Sequence, residues 1–403
     1  MIGALTRLFG PRNLGLAEDV VQDAFCKAIE AWDANGVPQN PAAWLMVAAK
    51  NRALDILRLR KTATTNAPEY GRLLDSEWTR AQAVEYHFSS AAIKDDELRM
   101  MFWCCQPNLP QEGQIILILN VVGGFSAPEI AEALLNTQSA VERRLSRAKS
   151  ALRKSPHVFE MLKPSEFSAR VASVQRTLYL LFSEGYHGGS RNGSVRGELC
   201  NEAMRLTAVL LQYPQGATST TFALSALMCL NAARLPGRIK DGGQLSPFHE
   251  QKRELWDQEL LKEGLKLLEH SATGAELSAY HIEAAIAAAH SNAKTLQDID
   301  WIRIAELYNV LVSILPTPIV ALNRAVAIGQ IEGPQRALEE IVAIADKKRL
   351  DHYPFYFAAK AEFELQLGFK SEARAHFQTA VKLARNPMEA TFLRTRLTVA
   401  AIF

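Results

Sequence analysis

The sequence predicts an all-α protein, and three observations carry the prediction. Strand signals are almost absent, while apolar residues recur at three- and four-residue steps along nearly the whole 403-residue chain. Helix-start signals stand at definite places: Asn40-Pro41 sets a cap ahead of a first-turn proline, and Ser126-Ala127-Pro128-Glu129 reads as a capping box. A late stretch repeats with a period of 36 residues, pairing Ala325 with Ala361, Gln330 with Gln366, Ala337 with Ala373 and Ile341 with Phe377.

The composition is that of a packed protein with room for two to four domains: 48% of residues are hydrophobic and 22% charged. No run of eighteen apolar residues appears, and Met1–Arg7 has neither the basic start nor the apolar core of a signal peptide. A cytoplasmic protein is therefore expected, with no membrane partner. The five cysteines, Cys26, Cys104, Cys105, Cys200 and Cys229, form no C-x-x-C pair and no zinc spacing with histidine. They are expected to be reduced and mostly buried. A redox role for the adjacent Cys104-Cys105 pair is the less favoured reading.

Net charge is only +2, so the chain is not a basic nucleic-acid coat. Charge is instead concentrated in two places. Residues 137–154 hold Arg143, Arg144, Arg147, Lys149, Arg153 and Lys154 against Glu142 alone. Residues 50–61 hold Lys50, Arg52, Arg58, Arg60 and Lys61 against Asp55 alone. Two basic helical faces in a nearly neutral protein suit two local contacts with phosphate.

The predicted organisation is a first helical unit over 1–62, a polar and weakly periodic linker over 63–94, a second unit over 95–154, and a larger helical unit over 165–403, with Pro156 and Pro164 bracketing the connector. In the first unit, Ala17, Val20, Val21, Ala24, Ala28, Ile29 and Trp32 mark one apolar side of a helix. Gly36 and Pro38 end it. The next helix runs from Pro41 to about Arg60. Trp44, Val47, Ala48, Leu54 and Leu57 are expected to face its core, and Lys50, Asn51, Arg52, Asp55 and Arg58 its polar side.

The run Ala17-Glu18-Asp19-Val20-Val21-Gln22-Asp23-Ala24-Phe25, with Pro41-Ala42-Ala43-Trp44-Leu45 and Asn51–Arg58, resembles region 2 of extracytoplasmic-function sigma factors. The resemblance implies that Asp19, Gln22, Asp23 and Phe25 face the β′ coiled coil of core RNA polymerase. It implies that Lys50, Asn51, Arg52 and Arg58 face the −10 promoter element, with the loop 33–40 as a pocket for a flipped base. Relative to that family the chain begins late, so a short first helix is expected.

In the second unit the capping box opens a helix carrying Ile130, Ala131 and Leu134. Leu135-Asn136-Thr137 leads to a second helix with Val141, Leu145, Ala148 and Leu152 inward. Its outer side is left with Gln138, Ser139, Glu142, Arg143, Arg144, Arg147 and Lys149, the layout of a helix-turn-helix. Gly124–Ala131 and Val141–Lys149 resemble region 4 of the same family, although Leu135 replaces its usual turn glycine. The resemblance implies binding of the −35 element and of the polymerase β-flap. Gln138, Ser139, Arg143, Arg144, Arg147 and Lys149 are then the DNA-facing candidates, some holding phosphate and one or two reading guanine.

In the last unit, Trp301-x-x-Ile304-Ala305-x-x-Tyr308 is similar to the first helix of a tetratricopeptide repeat, while residues 165–300 read as helical hairpins of no assigned repeat type. Asp95–Arg99 through Cys104-Cys105, then Trp256-Asp257 and Ala321–Ala327, resemble the sigma-factor subgroup with a C-terminal tetratricopeptide-like extension. His187, His249, His281 and His290 show no metal spacing, and there is no phosphate loop or nucleophile elbow. No enzyme, cofactor or metal is expected. A repeat groove suits a peptide or the chain's own sigma domains, so control of sigma activity in cis is the expected role of this unit. The alternative reading is a helix-turn-helix transcriptional regulator with a repeat-type sensor domain. A repeat scaffold with idle basic faces is a third.

Overall fold

Helix follows helix along the chain, and the boundaries sit where the sequence places its caps. The computed structural model describes residues 1–63, 90–106, 109–134, 136–154, 164–187, 197–240, 244–246, 250–293, 295–385 and 387–402. They divide into an N-terminal unit, Met1–Thr177, and a C-terminal unit, Leu178–Phe403. Both stretches that the sequence separates, 1–62 and 95–154, lie in the N-terminal unit. The division between units falls inside a helix rather than at the Pro156–Pro164 connector. Most of the 63–94 linker lies outside the described residues.

The N-terminal unit begins with α1 (Ile2–Phe9), α2 (Leu14–Asn35) and α3 (Pro41–Ala63). Gly36 takes φ 77°, a left-handed value that a side chain would resist, and α2 stops there. Asn40 accepts a hydrogen bond from the Ala43 amide at 3.1 Å, so α3 starts at Pro41 with one orphan donor satisfied. Leu5 and Phe9 of α1 pack with Ala17, Val20, Val21, Ala24 and Ala28 of α2 against Leu45, Met46, Ala49, Ala53, Leu54 and Leu57 of α3.

Two sequence expectations change here. Ile29 is 74% exposed, because it turns about 100° away from the stripe ending at Ala28. The core side of α3 is also rotated from the expected one. Met46, Ala49, Ala53 and Leu57 share a face at steps of three and four, and Lys50 falls within it, only 5% exposed. Val47 is instead exposed, and Trp44 sits at the edge of the core, edge-on to Trp32 at 5.6 Å.

The unit continues with α4 (Ser90–Cys104), α5 (Gln111–Leu117) leading into a π turn over Ile118–Val122, α6 (Ala127–Ala133), α7 (Gln138–Arg153) and the start of α8 (Pro164–His187). The buried Gln114 amide donates to the Gln106 and Leu109 carbonyls. Cys104 and Cys105 are buried thiols; burial raises both, Cys105 to about 12, which removes the thiolate that redox chemistry needs.

The C-terminal unit holds the end of α8, then α9 (Gly197–Leu211), α10 (Ser219–Ala232) and the short α11 (Leu235–Arg238). A two-residue antiparallel ladder pairs Ile239 with Leu245 and Lys240 with Gln244. Next come α12 (Gln258–Ser271), α13 (Ala279–Asn292), α14 (Trp301–Ile314), α15 (Pro318–Glu332), α16 (Pro334–Val342), α17 (Pro354–Gln366), α18 (Lys370–Lys382) and α19 (Pro387–Ile402). Helix α10 is apolar all round, with Leu224, Leu227, Met228 and Leu230 buried, as a central helix must be. Gly264 lets α12 approach it, since a Cβ there would lie 2.8 Å from Leu230.

The 36-residue period is carried by α15–α16 and α17–α18. Each of the aligned residues Ala325, Ala361, Ala337, Ala373, Ile341 and Phe377 is buried, while Gln330 and Gln366 are both exposed. The Ala321–Ala327 motif is structural. Leu322, Ala325 and Ala327 are buried, and the Arg324 guanidinium donates to Asn309 of α14 and Glu340 of α16, both at 2.6 Å. The guanidiniums of Arg253 and Arg234 both lie over the ring of the buried Trp256, and Asp257 caps α12 by accepting from the Leu260 amide.

Candidate polymerase and nucleic-acid interface

Four residues expected on the polymerase side lie along α2, and burying Val20, Val21 and Ala24 turns them outward. Asp19, Gln22 and Phe25 are exposed and Asp23 is half-exposed. Phe25 keeps 48% of its surface in solvent, next to Ile29, so α2 presents an apolar patch among acidic groups.

Facing α2, α3 presents Asn51 and Arg52, both exposed. An open groove of about 620 Å³ runs between the two helices, lined by Lys27, Ala34 and Asn35 from α2 and by Trp44, Asn51 and Arg52 from α3. The Arg52 side chain also donates to Asp23 of α2 at 2.9 Å. Lys50 does not join this surface. Burial pulls its ammonium below the usual lysine range, and its stem packs inward. The Arg58 side chain lies outside the described residues. Periodicity placed Trp44 and Val47 in the core; their place beside the groove depends on how α3 rolls against α2.

The second basic face is built from α6 and α7. The Ser126 amide donates to the Glu129 carboxylate at 2.8 Å, the reciprocal half of the capping box. Thr137 then caps α7, accepting from the Ala140 amide. Val141, Ala148 and Leu152 are buried and Leu145 half-buried, so Gln138, Ser139, Arg143 and Arg147 are left exposed on one side. Arg144 is partly covered and pairs with Glu112 at 3.3 Å. Lys149 turns inward, with its Nζ 2.6 Å from Glu18 of α2. Nothing in the sequence joins these two partners, which are 131 residues apart.

Among the described residues no group of three or more His, Cys, Asp or Glu side chains is placed to hold a metal ion. No described helix is long and apolar enough to cross a membrane.

Comparison with known proteins gives this geometry a class. Sigma-70 region 2 matches residues 3–63, covering α1–α3. Sigma-70, region 4, matches residues 99–152, the second basic face. The chain thus carries both a sigma-70 region 2 and a sigma-70 region 4, and the two together support a transcription initiation factor of the sigma-70 type with core RNA polymerase and promoter DNA as partners. A family of unknown function (DUF6596) matches residues 170–272. Over 397 residues the chain is 36% identical to "Uncharacterized protein R00370" of Rhizobium meliloti (strain 1021), covering 98% of this chain and 92% of that one. It is 25% identical over 157 residues to "ECF RNA polymerase sigma factor SigK" of Mycobacterium ulcerans (strain Agy99), covering 37% of this chain and 79% of that protein. No solved structure matches the chain.

Proposed function

We infer that the protein is a sigma factor of the extracytoplasmic-function type whose C-terminal unit, tetratricopeptide-like in its 36-residue hairpins, regulates initiation in cis. The observation that carries the first half is the division of labour on the N-terminal unit. Asp19, Gln22, Asp23 and Phe25 on α2 serve the β′ coiled coil. Asn51 and Arg52 beside the groove serve the −10 element. Gln138, Ser139, Arg143 and Arg147 on α7 serve the −35 element, and the same region serves the β-flap. Arg144 and Lys149 join the DNA-facing set only when their pairs with Glu112 and Glu18 open. Exposed guanidiniums suit phosphate and guanine, and the groove has the size and the aromatic edge that a flipped base needs.

The 36% identical relative aligns through both units, so the C-terminal unit is joined to the N-terminal one in both chains, as control in cis requires. A cytoplasmic location goes with this reading.

The test is co-purification with core RNA polymerase, then run-off transcription from a genomic fragment library. Core binding with new start sites is the expected result, and the start sites define the −10 and −35 elements. DNA binding without core binding would make the protein a helix-turn-helix regulator instead. Removing the C-terminal unit is expected to change promoter-specific transcription. Unchanged transcription at every growth stage would rule out control in cis.

A further inference from the structure

Apolar packing holds most of the C-terminal unit, but one corner of it is cationic. Arg234 lies between α10 and α11, Arg238 ends α11, and Arg253 opens the short turn Arg253–Leu255 ahead of Trp256. All three are half-buried. The Arg238 guanidinium lies over the Tyr186 ring at 4.0 Å, and those of Arg253 and Arg234 lie over the Trp256 ring at 4.7 and 5.5 Å. Arg253 also donates to the His290 carbonyl at 3.0 Å, and Arg234 to Gln251 at 3.4 Å.

Guanidiniums gathered this closely repel one another, and taking them out of water adds to the cost. Burial pulls Arg234 below the usual arginine range; Tyr186 opposes the shift, while Arg238 and Arg253 deepen it. Asp298 offsets part of the field at Arg253. Arg238 is differently placed. Among the described residues no carboxylate or carbonyl accepts from its guanidinium, which uses its face on Tyr186 and leaves its N–H edge unused. Ser246 adjoins it. The Ser246 amide donates to the Arg238 carbonyl at 2.8 Å, and its carbonyl accepts from Gln251, the same side chain that accepts from Arg234. Ser246 is only 5% exposed, and its hydroxyl has no hydrogen-bond partner among the described residues. A guanidinium fork and a buried hydroxyl on adjoining backbone, inside a positive field, call for the same partner, an oxyanion.

We propose that Arg238 and Ser246 form a binding site for a small phosphate-bearing ligand, with Arg234 and Arg253 supplying the positive field around it and Tyr186 fixing the plane of the Arg238 fork. A guanidinium fork meets two phosphate oxygens at once, and a phosphate keeps a further acceptor for the serine hydroxyl. The stacks on Tyr186 and Trp256 hold the guanidiniums in position before the ligand arrives. Inorganic phosphate and the phosphate monoester of a small metabolite share this chemistry. The site lies wholly in the C-terminal unit, goes beyond the sigma-factor reading and does not depend on it.

Isothermal titration of the full chain at constant ionic strength tests the site, with inorganic phosphate and glycerol phosphate as probes and acetate as the control. Saturable phosphate binding, absent with acetate, is expected. Tighter binding of glycerol phosphate would identify a monoester as the ligand, and tighter binding of inorganic phosphate would identify the free ion. Arg238→Gln is expected to weaken phosphate binding about tenfold, as loss of a charge-assisted hydrogen bond does. Ser246→Ala removes a hydroxyl that no described residue satisfies, so it should melt no lower than the parent and bind about fivefold more weakly. Arg349→Gln, at an exposed arginine whose side chain is 70% in solvent, should bind as the parent does. A parent chain with no saturable phosphate binding would overturn the site. So would parental affinity in a folded Arg238→Gln or in Ser246→Ala, or an equal loss in Arg349→Gln. If Arg238→Gln does not fold, Ser246→Ala decides.

Discussion

Arg52 on α3 donates a 2.9 Å hydrogen bond to Asp23 on α2, joining the helix we propose for DNA to the helix we propose for polymerase. Both side chains are nearly half exposed, 44% and 46%. An ion pair so open to solvent contributes roughly 0–1 kcal/mol to folding. Under the sigma-factor reading proposed above, the pair aims two groups at two partners. Asp23→Asn should therefore leave the melting temperature within a few degrees of the parent's and weaken capture of core polymerase, measured by competition with a labelled reference sigma factor. An unfolded variant, or one with unaltered capture, would contradict that assignment.

The two basic faces should differ in how their cations respond to salt. Arg143 and Arg147 are exposed on α7, so Arg143→Ala and Arg147→Ala should each reduce the slope of log affinity against log salt by about 1 if they hold phosphate. If one reads guanine, its removal should cost about 1–3 kcal/mol and relax specificity at one base pair. Lys50→Met should leave the slope unchanged, because Lys50 is buried against the α3 core. A slope reduced by about 1 in Lys50→Met would mean that α3 turns its other side to DNA.

Repeat packing in the C-terminal unit supplies a stability test. Phe377 is fully buried on α18, so Phe377→Ala should cost about 3–5 kcal/mol in denaturant unfolding. Gly329→Ala fails for the opposite reason. Its new methyl would sit 2.7 Å from Ala337 and 2.8 Å from the Phe363 ring, and overpacking of this kind costs about 1–3 kcal/mol. A neutral Gly329→Ala would mean that α15, α16 and α17 are less tightly packed than the structure has them.

Glu283 gives a pH dependence whose sign can be worked out. Burial raises its carboxyl from 4.5 to about 7, while a hydrogen bond from Tyr179 acts the other way. The folded protein thus holds this proton more tightly than the unfolded chain does. The stability this contributes is complete below about pH 4.5 and is lost as pH rises through 7. Glu283→Gln stays neutral, so its stability relative to the parent should grow from pH 5 to pH 8 by about 1–3 kcal/mol. His290 works in the opposite direction. Burial lowers its imidazole to about 4, and its contribution is lost as pH falls from 6.5. Comparing variant with parent at each pH cancels that term. A difference that stays flat from pH 5 to pH 8 would refute the raised carboxyl.

What the sequence determined by itself was local. Helix starts at Pro41 and Gln138, the Ser126–Glu129 box, the stop at Gly36 and the 36-residue register of Ala325 with Ala361 all depend on residues a few positions apart or on a repeated pattern. Dihedral preference, capping and periodicity act at that range, so those elements could be read directly. Gln138, Ser139, Arg143 and Arg147 on the outer side of α7 were legible for the same reason, since its apolar stripe of Val141, Ala148 and Leu152 is unambiguous, but the covering of Arg144 and Lys149 by Glu112 and Glu18 was not. The stripe on α3 is broader and includes Ala48, Ala49 and Ala53, and small residues do not say which side turns inward. Only packing against α2 decided that Lys50 is buried and that Trp44 borders a groove. Tertiary structure alone also decided the pairs Asp23–Arg52 and Glu18–Lys149. Charges attract through space, and a pair separated by 131 residues leaves no periodic trace in the chain.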